Sequence, residues 1–170
     1  MDVNTVPLDA EAMLTGLKRW VELESPTYDK PSVDRMTAMA AEDMETMGFH
    51  VEIVPGPEGL GDCAKASFPH PKAGEPGILI MGHLDTVHPL GTLEKLPFRR
   101  EGNICWGPGI CDMKGGNYAA ISAIKGYVGV LGAKGSSVDF SANRAGFSTQ
   151  GAVVRVIKNN AHGPVVHSGY

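Results

Sequence analysis

A chain of 170 residues with a formal net charge of -4 is long enough for one domain with a buried core, and its weak acidity gives no basis for nucleic-acid binding, which asks for a basic face. Three cysteines, Cys63, Cys105 and Cys111, are odd in number and irregular in spacing, which excludes a disulfide framework. The N-terminal residues lack the basic start and apolar run of a secretory signal, and no stretch approaches the ~20 apolar residues of a membrane span, so the expectation is a cytoplasmic protein without membrane contact.

Asp9 is placed to cap a first helix running to about Glu24. Met13, Leu14, Leu17, Trp20 and Val21 recur at helical spacing, and Pro26 closes the segment. Ser32 is the predicted cap of a second helix with a core stripe of Val33, Met36, Ala40, Met44 and Met47, and Gly48 stands where a C-terminal cap belongs. A strand is predicted at Val51–Val54, a Pro/Gly turn through Gly61, and a partner strand at Cys63–Phe68. The unbroken run Ile78-Leu79-Ile80-Met81 suits a strand buried on both faces. A third helix is expected from Asn117 to about Lys125. This order of elements predicts an α/β fold, a mixed sheet covered by helices.

Beyond Lys125 the character changes. From Gly126 to Tyr170 the chain is rich in Gly, Ser, Ala and Val and holds one acidic residue, Asp139, with a possible strand at Val153–Ile157. The expected division is one domain over residues 8–125 and a divergent tail over 126–170.

Two stretches carry chemistry. Gly82-His83-Leu84-Asp85-Thr86-Val87 follows directly on the apolar run. His83 and Asp85 share a face if the chain is extended, at the strand end where ligands bind in open α/β sheets. An imidazole there can hold a metal while the carboxylate orients its ring, or both can be plain polar surface. The second stretch is Trp106-Gly107-Pro108-Gly109-Ile110-Cys111-Asp112-Met113-Lys114-Gly115-Gly116. Asp112 can bridge two metal ions or help cap the following helix. A phosphate-cradling loop ranks lower, because the GxxxxGK[ST] pattern is absent. Cys105 and Cys111 are spaced too widely for a usual structural zinc pair and read as ordinary thiols.

Together, ILIMGHLDTV and PFRREGNICWGPGICDMKGGNYAA resemble the first half of the active site of M20-type zinc peptidases, in particular glutamate carboxypeptidases, over about residues 8–125. The resemblance implies a partial zinc-peptidase catalytic domain with a site for two zinc ions. His83 matches a ligand to one zinc and Asp112 the carboxylate that bridges both. Asp85, the candidate catalytic residue, matches the one that orients the histidine. The implied activity is metallo-carboxypeptidase or amidohydrolase chemistry on a small peptide or N-acyl amino acid. Aminoacylases and deacetylases share the same boxes.

The pattern then breaks. The family's general-base glutamate is expected in a Glu-Glu pair after the next strand, yet no glutamate follows Glu101. The family's last histidine ligand lies beyond a lid or dimerisation domain for which this sequence has no room, so oligomeric state is open. His88, His162 and His167 lie outside the family pattern. An altered reading frame, mis-splicing or a fragment boundary near Lys125 is the expected origin of the tail, giving an impaired enzyme or a non-catalytic product that binds metal weakly.

Overall fold

In the computed structural model, the described residues are 6–57, 59–69, 77–131, 138–143 and 155–157. Helix α1 spans Ala10–Val21, with the Asp9 carboxylate accepting from the amides of Glu11 and Ala12. Helix α2 spans Lys30–Thr46. Its cap is Asp29, which accepts from the Ser32 amide, and not Ser32 as the sequence suggested. Pro31 explains the earlier start: proline fits the first helical turn, where its missing N–H costs nothing. Gly48, just past the end, takes φ +96°, a left-handed conformation that glycine adopts without strain.

Strands β1 (His50–Val54) and β2 (Cys63–Phe68) form an antiparallel pair, and β3 spans Gly77–His83. A short helix α3 (Thr92–Lys95) and a hairpin of β4 (Arg99–Glu101) and β5 (Ile104–Trp106) lead into an irregular turn at Ile110–Lys114. Helix α4 then runs from Gly115 to Leu131, past the expected end at Lys125. Strands β6 (Val138–Asn143) and β7 (Arg155–Ile157) complete a sheet ordered β1-β2-β6-β3-β7. Within it β6 runs parallel to β3, and the other neighbours are antiparallel. The first part of the expected tail thus supplies a central strand. His162 and His167 lie outside the described residues.

The core is built from Trp20, Met36, Ala40, Met44, Phe49, Ala64, Ala66, Leu84, Tyr118, Ile121 and Ile124. Trp20 meets Tyr118 edge to face with ring centroids 5.0 Å apart. The Trp20 indole N–H donates to Asp43, so its polar atom is satisfied inside the core. Gly16 makes this approach possible, because a Cβ there would fall 1.7 Å from the Tyr118 hydroxyl.

The expectation that the apolar run of β3 is buried on both faces is corrected. Ile80 packs against the core, whereas Leu79 and Met81 are 44% and 42% exposed. Alternation along a strand sends neighbours to opposite faces, and Ile80 is on the face that meets the core cluster. An apolar run alone does not reveal which faces are covered.

Candidate metal centre

His83 is the last residue of β3, and the chain beyond it is sewn to the loop that follows α1. The Thr86 amide donates to Ser25 O at 2.8 Å, and the Thr27 amide donates to Thr86 O at 3.1 Å. The Ser25 hydroxyl donates to Leu84 O at 2.8 Å. The Thr27 hydroxyl donates to the Asp85 carboxylate. Leu84, Asp85 and Thr86 are all buried, which fixes the backbone leaving His83, and pairing of β3 with β6 through His83 fixes the backbone entering it.

Asp85 holds the inner edge of the imidazole. His83 Nδ1 lies 2.9 Å from the Asp85 main-chain oxygen and 3.3 Å from its carboxylate. The outer nitrogen, Nε2, lies 2.8 Å from Asp112 Oδ1, which closes a separation of 29 positions. Asp112 does not cap a helix, the other use its place in the sequence allowed. It stands in the Ile110–Lys114 turn with non-helical dihedrals of φ -132° and ψ 91°, and the Asp112–Met113 peptide is cis. Its side chain is 60% exposed, against 13% for His83.

Burial alone would lower the His83 pKa. The hydrogen bonds to Asp85 and Asp112 outweigh it and push the group up to about 9. The metal-free fold therefore favours the protonated imidazole, with Nε2 facing Asp112. A metal ion would compete with that proton, since a ligating histidine must be neutral.

The donor set fits a zinc ion. An imidazole with its Nδ1 held by a carbonyl and a carboxylate presents Nε2 outward, the usual arrangement of a ligating histidine. Asp112 adds an accessible oxygen beside it, and nitrogen with oxygen is an accepted zinc set. Among the described residues, however, no group of three or more His, Cys, Asp or Glu side chains is arranged to hold a metal ion. Cys63 and Cys105 are half-buried and Cys111 is exposed, and none of the three is in a disulfide among the described residues. His88 is half-buried on the loop after β3.

Two further residues shape the site without having been assigned any task from sequence. Asn117, 1% exposed, donates from Nδ2 to the His83 carbonyl at 2.6 Å. Lys114, also 1% exposed, donates from Nζ to the carbonyls of Trp20 and Leu23 at 2.9 and 2.7 Å. Lys114 lies in the box that carries the family resemblance, and that membership was the available signal. Asn117 lies in the same stretch and is read from sequence only as the start of the third helix.

The chain is an α/β unit in which an imidazole and a carboxylate converge at the carboxyl end of β3. Residues 79–141 match the peptidase family M20/M25/M40, so the match continues past Lys125 into β6. Carboxypeptidase G2 of Pseudomonas sp. (strain RS-16) is 31% identical over 120 residues, which is 67% of this chain and 27% of the carboxypeptidase. The crystal structure of human carnosine dipeptidase 1 superposes with a TM-score of 0.56 at 23% identity, covering 69% of this chain and 29% of that one. The chain belongs to the M20 peptidase family. It spans about a quarter of the length of the carboxypeptidase it matches.

Proposed function

We propose that this chain carries the His83–Asp112 half of a dinuclear zinc centre for amide hydrolysis. The activity served would be that of a metallo-carboxypeptidase releasing a C-terminal amino acid such as glutamate from a small peptide or acyl conjugate. The observation that carries the reading is the 2.8 Å approach of His83 Nε2 to Asp112 Oδ1 at the end of β3. In this reading His83 and Asp112 are the residues that would hold zinc. When bound, zinc supplies a Lewis acid that polarises a carbonyl and brings the pKa of a bound water toward ~7.

The chain's own residues do the positioning. Asp85 fixes the ring of His83 and selects Nε2 as the outward nitrogen. Thr27, donating to Asp85, keeps that carboxylate turned toward the ring. As the sequence stands, no glutamate follows Glu101 to take the part of the general base. Loss of such a base removes typically ~10²–10⁴-fold in rate. The expected behaviour of these 170 residues taken alone is therefore zinc binding with strongly reduced turnover.

The test is a zinc titration of the purified chain together with an assay on an N-acyl glutamate and an N-acyl alanine. Binding of zinc that depends on His83 and Asp112, with little or no hydrolysis, supports the reading. Hydrolysis at an ordinary rate would contradict the impaired part, and failure to bind zinc would contradict the metal part.

A further inference from the structure

The zinc reading leaves a buried cation without a task. Lys114 is 1% exposed, and its ammonium donates to the main-chain oxygens of Trp20 and Leu23 across 94 and 91 positions. Helix α1 ends at Val21, so both acceptors lie at its carbonyl end. The last carbonyls of a helix have no partner within it and carry the negative end of its dipole. An ammonium at that spot satisfies one of them, Trp20 O, together with the carbonyl of Leu23 just past the C-cap Glu22, and matches the negative charge of that end.

The turn that carries Asp112 needs such an anchor. Asp112 and Met113 leave helical dihedrals, so the regular ladder is interrupted where the carboxylate is displayed. Main-chain closure comes from the Lys114 amide to Gly109 O at 2.9 Å and from the Gly115 amide to Ile110 O. The turn is docked on the end of α1 and on the loop after β3. A Cβ at Gly107 would meet Val21 at 2.6 Å, and one at Gly109 would meet Thr86 at 2.5 Å. Lys114 is the charged member of this docking, two residues from a carboxylate that is itself mostly exposed.

We propose that Lys114 is the positioning residue for Asp112, tying the Ile110–Lys114 turn to the carbonyl end of α1 so that the Asp112 carboxylate is held beside His83. The inference rests on the zinc-site reading for its functional meaning, and on the tether alone for its structural meaning. It assigns work to a residue of the Asp-Met-Lys-Gly-Gly box that touches neither the metal position nor substrate.

Two readouts on the full chain test it. Lys114→Met keeps much of the bulk and removes the donor. Amide hydrogen exchange over residues 110–116 should quicken at least ~10-fold while α2 and β2 keep their protection. Zinc affinity, read by competition with a chromogenic chelator, should fall ~10–100-fold, as for residues that orient a ligand. Met44→Ala, a core variant on α2, should lose stability and keep zinc affinity. Equal zinc loss in Met44→Ala at matched stability would overturn the proposal, as would Lys114→Met with unchanged exchange and affinity. A wild-type chain that binds no zinc, with a turn that still loosens in Lys114→Met, would overturn the zinc reading and support the tether. If Lys114→Met does not fold, Lys114→Gln, which keeps an uncharged donor, should show the same losses in part. Full zinc affinity in Lys114→Gln would contradict the need for the ammonium.

Discussion

Asn117 Nδ2 donates to the main-chain oxygen of His83 at 2.6 Å, joining the first turn of α4 to the last residue of β3 across 34 positions. Asn117 is buried, so Asn117→Ala leaves that carbonyl without this donor in a place poorly reached by water. A cost of about 1–3 kcal/mol is expected. Urea unfolding should show it as a lower midpoint with an unchanged slope.

Gly82 lies directly beneath that contact. A Cβ there would fall 1.8 Å from Asn117 Oδ1 and 3.1 Å from Met113 Cε. Gly82→Ala should therefore cost about 1–3 kcal/mol through overpacking. The cost should shrink in the Asn117→Ala background, where the obstructing amide is gone. Strict additivity in the double-mutant cycle would show that the two positions do not share this space.

The metal-free protein should lose stability between about pH 6.5 and 8. His83 is raised in the fold from 6.5 to about 9, by hydrogen bonds that outweigh the lowering effect of its burial. A folded pKa above the unfolded one gives stability that is complete below about 6.5 and fades as pH climbs through about 9. Burial pulls Lys114 down to about 8, and between there and 10.5 its titration acts in the opposite sense. The window below 8 is therefore the clean one. The expected slope is at most about 1.4 kcal/mol per pH unit. Comparing wild type with His83→Asn by denaturant unfolding in a chelator should isolate it. Equal slopes in the two proteins would contradict the raised His83.

Asp85→Asn should act on zinc through His83. Asp85 is fully buried, with its carboxylate 3.3 Å from His83 Nδ1 and accepting from the Thr27 hydroxyl. An amide keeps the shape and gives up the charge. The His83 pKa, followed by NMR in the metal-free protein, should drop clearly below the wild-type value. Zinc affinity should weaken ~10–100-fold. Thr27→Val should shift both in the same direction by less.

Much of this was legible before any coordinates. Helix α1 announced itself through Asp9 and an apolar stripe, and β2 through its flanking turns. The His83 and Asp112 boxes pointed to one site because each has a recognisable local pattern. The start of α2 was misjudged because Ser32 and Asp29 are both competent caps, and Pro31 decided between them by fitting the first turn. The exposed outer face of β3 was hidden because an apolar run does not say where helices lie. Lys114 and Asn117 were invisible as positioning residues for a different reason. Their partners are main-chain oxygens far along the chain, and a carbonyl carries no residue identity for a pattern to catch.

The most direct test of the shared-cation site is zinc calorimetry on wild type, His83→Ala and Asp112→Ala, run at pH 7 in two buffers of different ionisation heat. Wild type should bind zinc and release about one proton, that of His83, while each variant binds at least ~10-fold more weakly and His83→Ala releases none. Wild-type affinity and proton release in both variants would place the metal elsewhere and remove the basis for the hydrolase site.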